Sequence, residues 1–295
     1  MSVRVHTRFL IMLVLAIVAW WPPLRALVRL AIHNENYSYT LLVLMISGLL
    51  VCLEHWSPPS EPKWPLLVMS LTASGLGVAA WWNYRILGSE DYRLTVSVLF
   101  FFVFILVVFV QTYGGKSFPH MRFPLLFAFL AVPLPTAAVS WLVTGLQRGS
   151  AEAAYALFRL FQVPIVRDGL VFSFYNLEIE VARECSGIRS STILFVTTLV
   201  LAKLFLESGW SMTIAVICSL PVAVAKNGVR IFILSLLGEY VSPSWLEGSL
   251  HQRGGVVFFA IGMAMVLAVI WLLRRGEEQR KSVRDLAGQE LVQSG

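Results

Sequence analysis

The chain has 295 residues, 57% of them hydrophobic and 14% charged, with a formal net charge of +6 and a mean hydropathy of +0.74. A soluble domain carries about a quarter charged residues, so this composition excludes an ordinary globular protein; apolar runs of roughly 17–25 residues, long enough to cross a bilayer, recur instead. The basic surplus belongs with cytoplasmic helix ends and anionic lipid, not with nucleic acid, and Cys52, Cys185 and Cys218 form no C-x-x-C pair for thiol exchange or a four-cysteine metal site.

Eight apolar runs read as spans, taken in chain order. The first, Phe9–Leu24, leads into Trp-Trp-Pro-Pro and not into a small-residue cleavage site, so it reads as a span and not as a cleaved signal. The second, Tyr37–Leu53, opens on the string NENYSYTLLV, and a linker marked by Pro58, Pro59 and Pro62 leads to the third, Pro65–Trp82. The fourth, Leu94–Tyr113, ends at Gly114-Gly115, and the fifth, Phe123–Val143, contains VPLP. Trp20-Trp21 and Trp81-Trp82 fit interfacial belts. Cys52 and Cys218 read as packing residues, and His6, His33, His55 and His120 as surface histidines.

Residues 144–184 read as an insert outside the membrane. Ala151 to Phe161 is short and amphipathic, like a helix lying in the interface. Leu177-Glu178-Ile179-Glu180-Val181 alternates apolar and acidic residues, the period of a half-exposed strand, with Val171–Phe174 as its hairpin partner. Glu178 and Glu180 then occupy a solvated face. The hairpin feeds into Cys185 and the sixth span, Ser186–Leu206. The seventh and eighth, Ser211–Leu237 and Gly255–Leu273, precede a polar tail over 276–295. Arg274, Arg275, Arg280, Lys281 and Arg284 put that tail in the cytoplasm, and an even number of spans puts the N-terminus there too. The fold class is therefore an all-α polytopic membrane protein of about eight transmembrane helices, with a small extracytoplasmic β-hairpin before the sixth.

Three places carry polar groups that such a bundle does not need. Cys185 stands at a helix N-terminus, where unpaired N–H groups and the helix dipole favour an anion, with Arg189 one turn on and Ser186 and Gly187 leaving room for approach. The bland alternative is a small residue at a helix cap. In KNGVRI, Arg230 lies within an apolar run where a charge costs roughly 2.5–3.5 kcal/mol on insertion scales. Asn227 can hydrogen-bond locally, and Lys226 reads either as a site residue or as a snorkelling side chain. Pro221 is expected to kink the same helix. His251, in LHQRGG, can carry a proton near neutral pH; alone it reads as a solvated side chain, but the topology brings it to the membrane face of Cys185. No phosphate loop, H-E-x-x-H or G-x-S-x-G occurs, and nothing calls for a metal or cofactor.

ECSGIRSS, NGVRI and LHQRGG, in this order at the outer ends of three successive spans, resemble the exosortase/archaeosortase family of membrane cysteine transpeptidases. The resemblance extends over nearly the whole chain and includes NENYSYTLLV, VPLP and the R-D-G before the hairpin. Tyr39-Thr40 stands where many exosortases show His-Gly. The resemblance implies a membrane-embedded cysteine peptidase or transpeptidase of the bacterial inner membrane, its site facing the periplasm, over residues 1–275. It implies exported protein substrates with a C-terminal motif such as Pro-Glu-Pro, a transmembrane helix and a basic tail, and a link to exopolysaccharide-associated export. Carried over by position, Cys185 is the nucleophile, Arg230 stabilises charge and His251 is the general acid/base; Ser186, Gly187, Arg189 and Asn227 support them. Two other readings fit the residues alone: a transporter or channel for an anionic solute, using Pro221, Lys226 and Arg230 in one broken span, and a non-catalytic factor of polysaccharide export.

Overall fold

The computed structural model describes residues 2–54, 68, 75, 77, 89–182, 187–242 and 255–293. The helices are α1 Ser2–Ala19, α2 Trp21–His33, α3 Tyr39–Leu53, α4 Glu90–Tyr113, α5 Phe118–Phe127, α6 Thr136–Leu160, α7 Ile188–Phe205, α8 Gly209–Tyr240 and α9 Gly255–Gln293. Three short strands lie between α6 and α7. Among the described residues five helices are long and apolar enough to cross a membrane, or up to seven if each bent pair is one span. This is a polytopic all-α membrane protein. The chain divides into two compact units, Met1–Val139 and Ser140–Gly295.

In the first unit the expected single span Phe9–Leu24 is two helices, α1 and α2, meeting at 74°. Pro22 and Pro23 occupy the first positions of α2, where a missing N–H costs nothing, but the same residues cannot continue α1. Trp20 at the break is buried and its indole donates to the Ser97 carbonyl at 3.1 Å; only its neighbour Trp21 is exposed as a belt residue would be. His6, expected at the surface, is half-buried and pairs with the Tyr113 hydroxyl at 3.0 Å. The third expected span, Pro65–Trp82, lies almost wholly outside the described residues, as do His55 and Trp81-Trp82.

The fifth expected span is also interrupted. Pro133 and Pro135 remove two backbone donors and hold their predecessors extended, so a helix cannot run through VPLP. A 3-10 turn, Ala128–Ala131, closes one side and α6 opens at Thr136. The carbonyls left over are taken within the unit: Tyr37 donates to Leu134 at 2.8 Å and Thr95 to Pro133 at 2.8 Å. The string NENYSYT and the VPLP turn, far apart in sequence, are thereby joined.

In the second unit α6 runs without interruption to Leu160, so Ala151–Phe161 is not a separate interfacial helix. Its buried residues, among them Val143, Gln147, Ala151, Ala154 and Phe158, recur at helical spacing along one face. Phe158 meets Phe172 and Ile231 in a core shared with the sheet. That sheet has the expected hairpin, β2 Val171–Ser173 and β3 Glu178–Glu180, with Phe172 opposite Ile179. It adds a strand that periodicity did not reveal, β1 Val166–Asp168, paired through Arg167 and Phe172. Arg167 is held by a bidentate pair with Glu152, at 2.9 and 2.7 Å, and by the faces of Tyr155 and Phe172; the Glu152 hydrogen bonds hold its pKa above the ordinary value. Glu178 and Glu180 are exposed, as a solvated face requires. Helices α7, α8 and α9 pack around Leu194, Ala202, Ala215, Val222, Val266 and Ile270. α9 continues from its apolar half through the polar tail to Gln293.

Candidate active site

Cys185, Ser186 and His251 lie outside the described residues, as do Arg183 and Glu184. The structure does describe the residues on each side of segment 183–186 and what holds them. On the upstream side Val181 is buried; its N–H donates to the Leu170 carbonyl at 2.9 Å, and its carbonyl accepts from Gln147 Nε2 at 2.5 Å. On the downstream side Gly187 is buried in the left-handed conformation, with φ +67°. A Cβ there would sit 2.8 Å from Asn227 Oδ1. Glycine is needed twice over, for the backbone angle and for the close approach.

Asn227 is itself 1% exposed and donates from Nδ2 to Ser150 Oγ at 3.0 Å. Gln147 and Ser150 are one turn apart on α6, so a single helix face secures both flanks of the segment. The backbones of α6 and α8 come close enough for this because Gly228 faces Ala153: a Cβ on Gly228 would be 2.5 Å from Ala153 Cβ. Neither Gln147 nor Ser150 was singled out in the sequence. The available signal was their place among Val143, Ala151, Ala154 and Phe158 on the apolar face of α6, where a polar side chain needs a partner.

The first turn of α7 is tied down as well. The Gly187 carbonyl accepts from Ser191 N at 2.9 Å and from Ser190 Oγ at 3.0 Å. Lys226 Nζ donates to Ser190 Oγ at 2.5 Å. Lys226 is only 2% exposed, so it does not snorkel. Its stem lies against α9 where Gly262 has no side chain; a Cβ at 262 would be 2.9 Å from Lys226 Cδ. Arg230, one turn after Lys226, is half-buried, and Arg189 is exposed at the start of α7. Pro221 lies inside α8, five residues before Lys226.

The positive end of the α7 dipole meets Lys226 at Ser190, with Arg189 adjoining Ser190 and Arg230 one turn after Lys226 in sequence. Such an environment favours a thiolate over a thiol, and an oxyanion over a neutral carbonyl. Cys52 is exposed on an apolar helix and Cys218 is half-exposed, so neither is a core residue. Set against known families, the chain matches the profile described as transmembrane exosortase (Exosortase_EpsH) over residues 20–268. No curated protein and no solved structure matches it.

Proposed function

The chain belongs to the transmembrane exosortase family, and from that premise we propose that it is a membrane-embedded cysteine transpeptidase with Cys185 as its nucleophile. Membership supports a membrane transpeptidase and sorting role in general. The observation that carries the finer assignment is the packing of Gly187 onto Asn227. It joins the C-S-G string to the K-N-G-V-R string, so the residues flanking Cys185 share a site with the helix turn that bears Arg230.

In this reading the Cys185 thiolate attacks the scissile carbonyl carbon of an exported protein, forming a C–S bond as the C–N bond breaks. His251 gives its proton to the departing amine and then takes one from water or an acceptor amine, whose attack on the thioester regenerates the thiolate. Arg230 offsets the charge of the thiolate and of the tetrahedral oxyanion, an effect strengthened where water is excluded. Ser186, Gly187, Arg189 and Asn227 shape the approach. The substrate carries a C-terminal motif, a transmembrane helix and a basic tail. Its helix lies against the bundle and delivers the motif to the outer face of the bacterial inner membrane, in the service of exopolysaccharide-associated export; much of the rate gain comes from that positioning. The polar tail after residue 275 stands in the cytoplasm.

The test is Cys185→Ala in the full chain, with membrane insertion checked separately. Processing of a co-expressed substrate should stop, and a Cys185-linked acyl species should be trapped in the wild type when His251 is replaced by Ala. Continued cleavage by the Cys185→Ala variant sinks the nucleophile assignment.

A further inference from the structure

Beside the start of α8, at the end of the second unit away from the hairpin, lies a cavity of about 200 Å³. Leu204, Phe205 and Glu207 form one wall, from the end of α7 and the turn after it; Arg274, Glu278 and Lys281 of α9 form the other. α9 carries no charged residue from Gly255 to Leu273, so Arg274 marks the level where its apolar run gives way to charge. In a spanning helix that level is the membrane–water boundary. Leu204, Phe205 and Leu272 are exposed there, as are Trp210 and Trp271, the aromatic type that such boundaries select.

The polar lining is of two kinds. Glu277 is fixed, since its carboxylate accepts from the N–H groups of Glu207 and Ser208 at 3.1 and 2.9 Å. The other four charges form two pairs, Arg274 with Glu278 at 3.0 Å and Lys281 with Glu207. Every side chain in those pairs is more than half exposed. Exposed pairs contribute little to stability, so both can open to a better partner. Three carboxylates face two cations in the lining, an excess of one negative charge. Arg275 lies outside it, over the Trp271 ring at 3.8 Å.

A purely anionic headgroup meets that excess as repulsion. A zwitterion finds both of its charges answered, a phosphate by Arg274 and Lys281 and an ammonium by Glu207 and Glu278. A primary ammonium donates three hydrogen bonds to carboxylates, where a quaternary one donates none. The exposed Leu204, Phe205 and Leu272 offer acyl chains an apolar path that a free zwitterion would leave bare. We propose that this cavity is a headgroup site for an aminophospholipid, a lipid that joins a phosphodiester to a primary amine. A lipid seated there ties α9 to the α7–α8 turn, beside the Glu277 caps. The site uses none of the residues assigned to cleavage and stands whatever the nucleophile is.

The full-length protein, delipidated in detergent, is titrated with phosphatidylethanolamine, phosphatidylcholine, phosphatidylglycerol and, as a headgroup without chains, phosphoethanolamine. Native mass spectrometry reads the bound copies. One phosphatidylethanolamine should bind about tenfold more tightly than phosphatidylcholine, the effect of losing charge-assisted hydrogen bonds. Phosphatidylglycerol should bind more weakly still. The double variant Glu207→Gln, Glu278→Gln removes the partners of the amine and turns the lining net positive, so phosphatidylglycerol should overtake phosphatidylethanolamine. Ion pairs with a structural role alone would change stability and leave the order of the lipids as it was.

Equal affinities for the three lipids in the wild type mean unspecific coating and overturn the proposal, as does a wild type that prefers phosphatidylglycerol. Phosphoethanolamine bound as tightly as the lipid overturns it in favour of a soluble zwitterion. A preference for phosphatidylethanolamine that survives the double variant places the lipid elsewhere on the bundle and also overturns it. The wild-type comparisons need no substitution, so a variant that fails to fold does not shield the proposal.

Discussion

Four residues around segment 183–186 do different work and should fail differently. Gln147 satisfies a carbonyl that no water reaches, so Gln147→Leu leaves Val181 O buried and unpaired, at a cost of about 1–3 kcal/mol. Thermal unfolding in detergent should register that loss. Gly187→Ala combines a positive φ, costing about 1–2 kcal/mol for a residue with a Cβ, with a collision on Asn227 Oδ1. Here the expected signature is loss of substrate cleavage by tenfold or more in protein that still inserts, because the displaced group is the turn next to Cys185. A cleavage rate within twofold of wild type would show that Gly187 does not set the geometry. Ser150 Oγ accepts from Asn227, so Asn227→Ala takes away the partner of a buried hydroxyl. Of this set, Gly187 and Asn227 were legible in the sequence because they belong to recognisable strings. Gln147 and Ser150 were not, since their meaning depends on which face of α6 is buried.

At the level of elements, the hairpin depends on Phe172, which is fully buried against Phe158. Phe172→Ala should cost about 3–5 kcal/mol by opening a cavity, and it should expose the sheet to limited proteolysis while leaving α7–α9 intact. Tyr37→Phe tests the other junction. It leaves the Leu134 carbonyl without its donor, so a loss of about 1 kcal/mol in unfolding free energy is expected. Both strands of the hairpin were readable from alternation, because two faces with different solvents impose a period of two. The third strand, Val166–Asp168, was hidden: its centre is Arg167, half-buried against aromatic rings by a pairing that only the fold creates. The breaks at Trp20 and at VPLP were marked by prolines in plain sight. Hydropathy reports burial in lipid and says nothing of direction, so each bent helix pair read as one straight crossing.

For the whole molecule, the second unit has two distinguishable ends. Asn176 in the hairpin turn bonds to Glu239 at the end of α8. At the other end Glu277 accepts from the N–H groups of Glu207 and Ser208, and Lys281 pairs with Glu207. α8, 32 residues long, separates them, a distance of about 48 Å at 1.5 Å per residue. A membrane-impermeant thiol reagent should therefore label Tyr175→Cys and Ser282→Cys from opposite faces of sealed vesicles, both made in a background without native cysteines. Labelling of both from one face would overturn the crossing of α7, α8 and α9. From sequence the basic tail is expected on the cytoplasmic side; the clasp that holds it was not legible, because Glu207 and Glu277 read as ordinary surface residues until α9 is seen to run on as one helix to Gln293.

That continuity gives α9 the character of a ruler. Its axial height is pinned twice, by Glu277 against the α7–α8 turn and by Gly262 against the Lys226 stem. A slide of one turn, about 5.4 Å, would break both backbone caps and drive a larger side chain onto the lysine. The level of Gly255, where α9 begins, is thus fixed from the opposite end of the same helix. One residue inserted between Leu273 and Glu277 would turn the two gauge marks about 100° out of phase, and would detune the Gly187–Asn227 contact about 28 Å away without altering any residue in it.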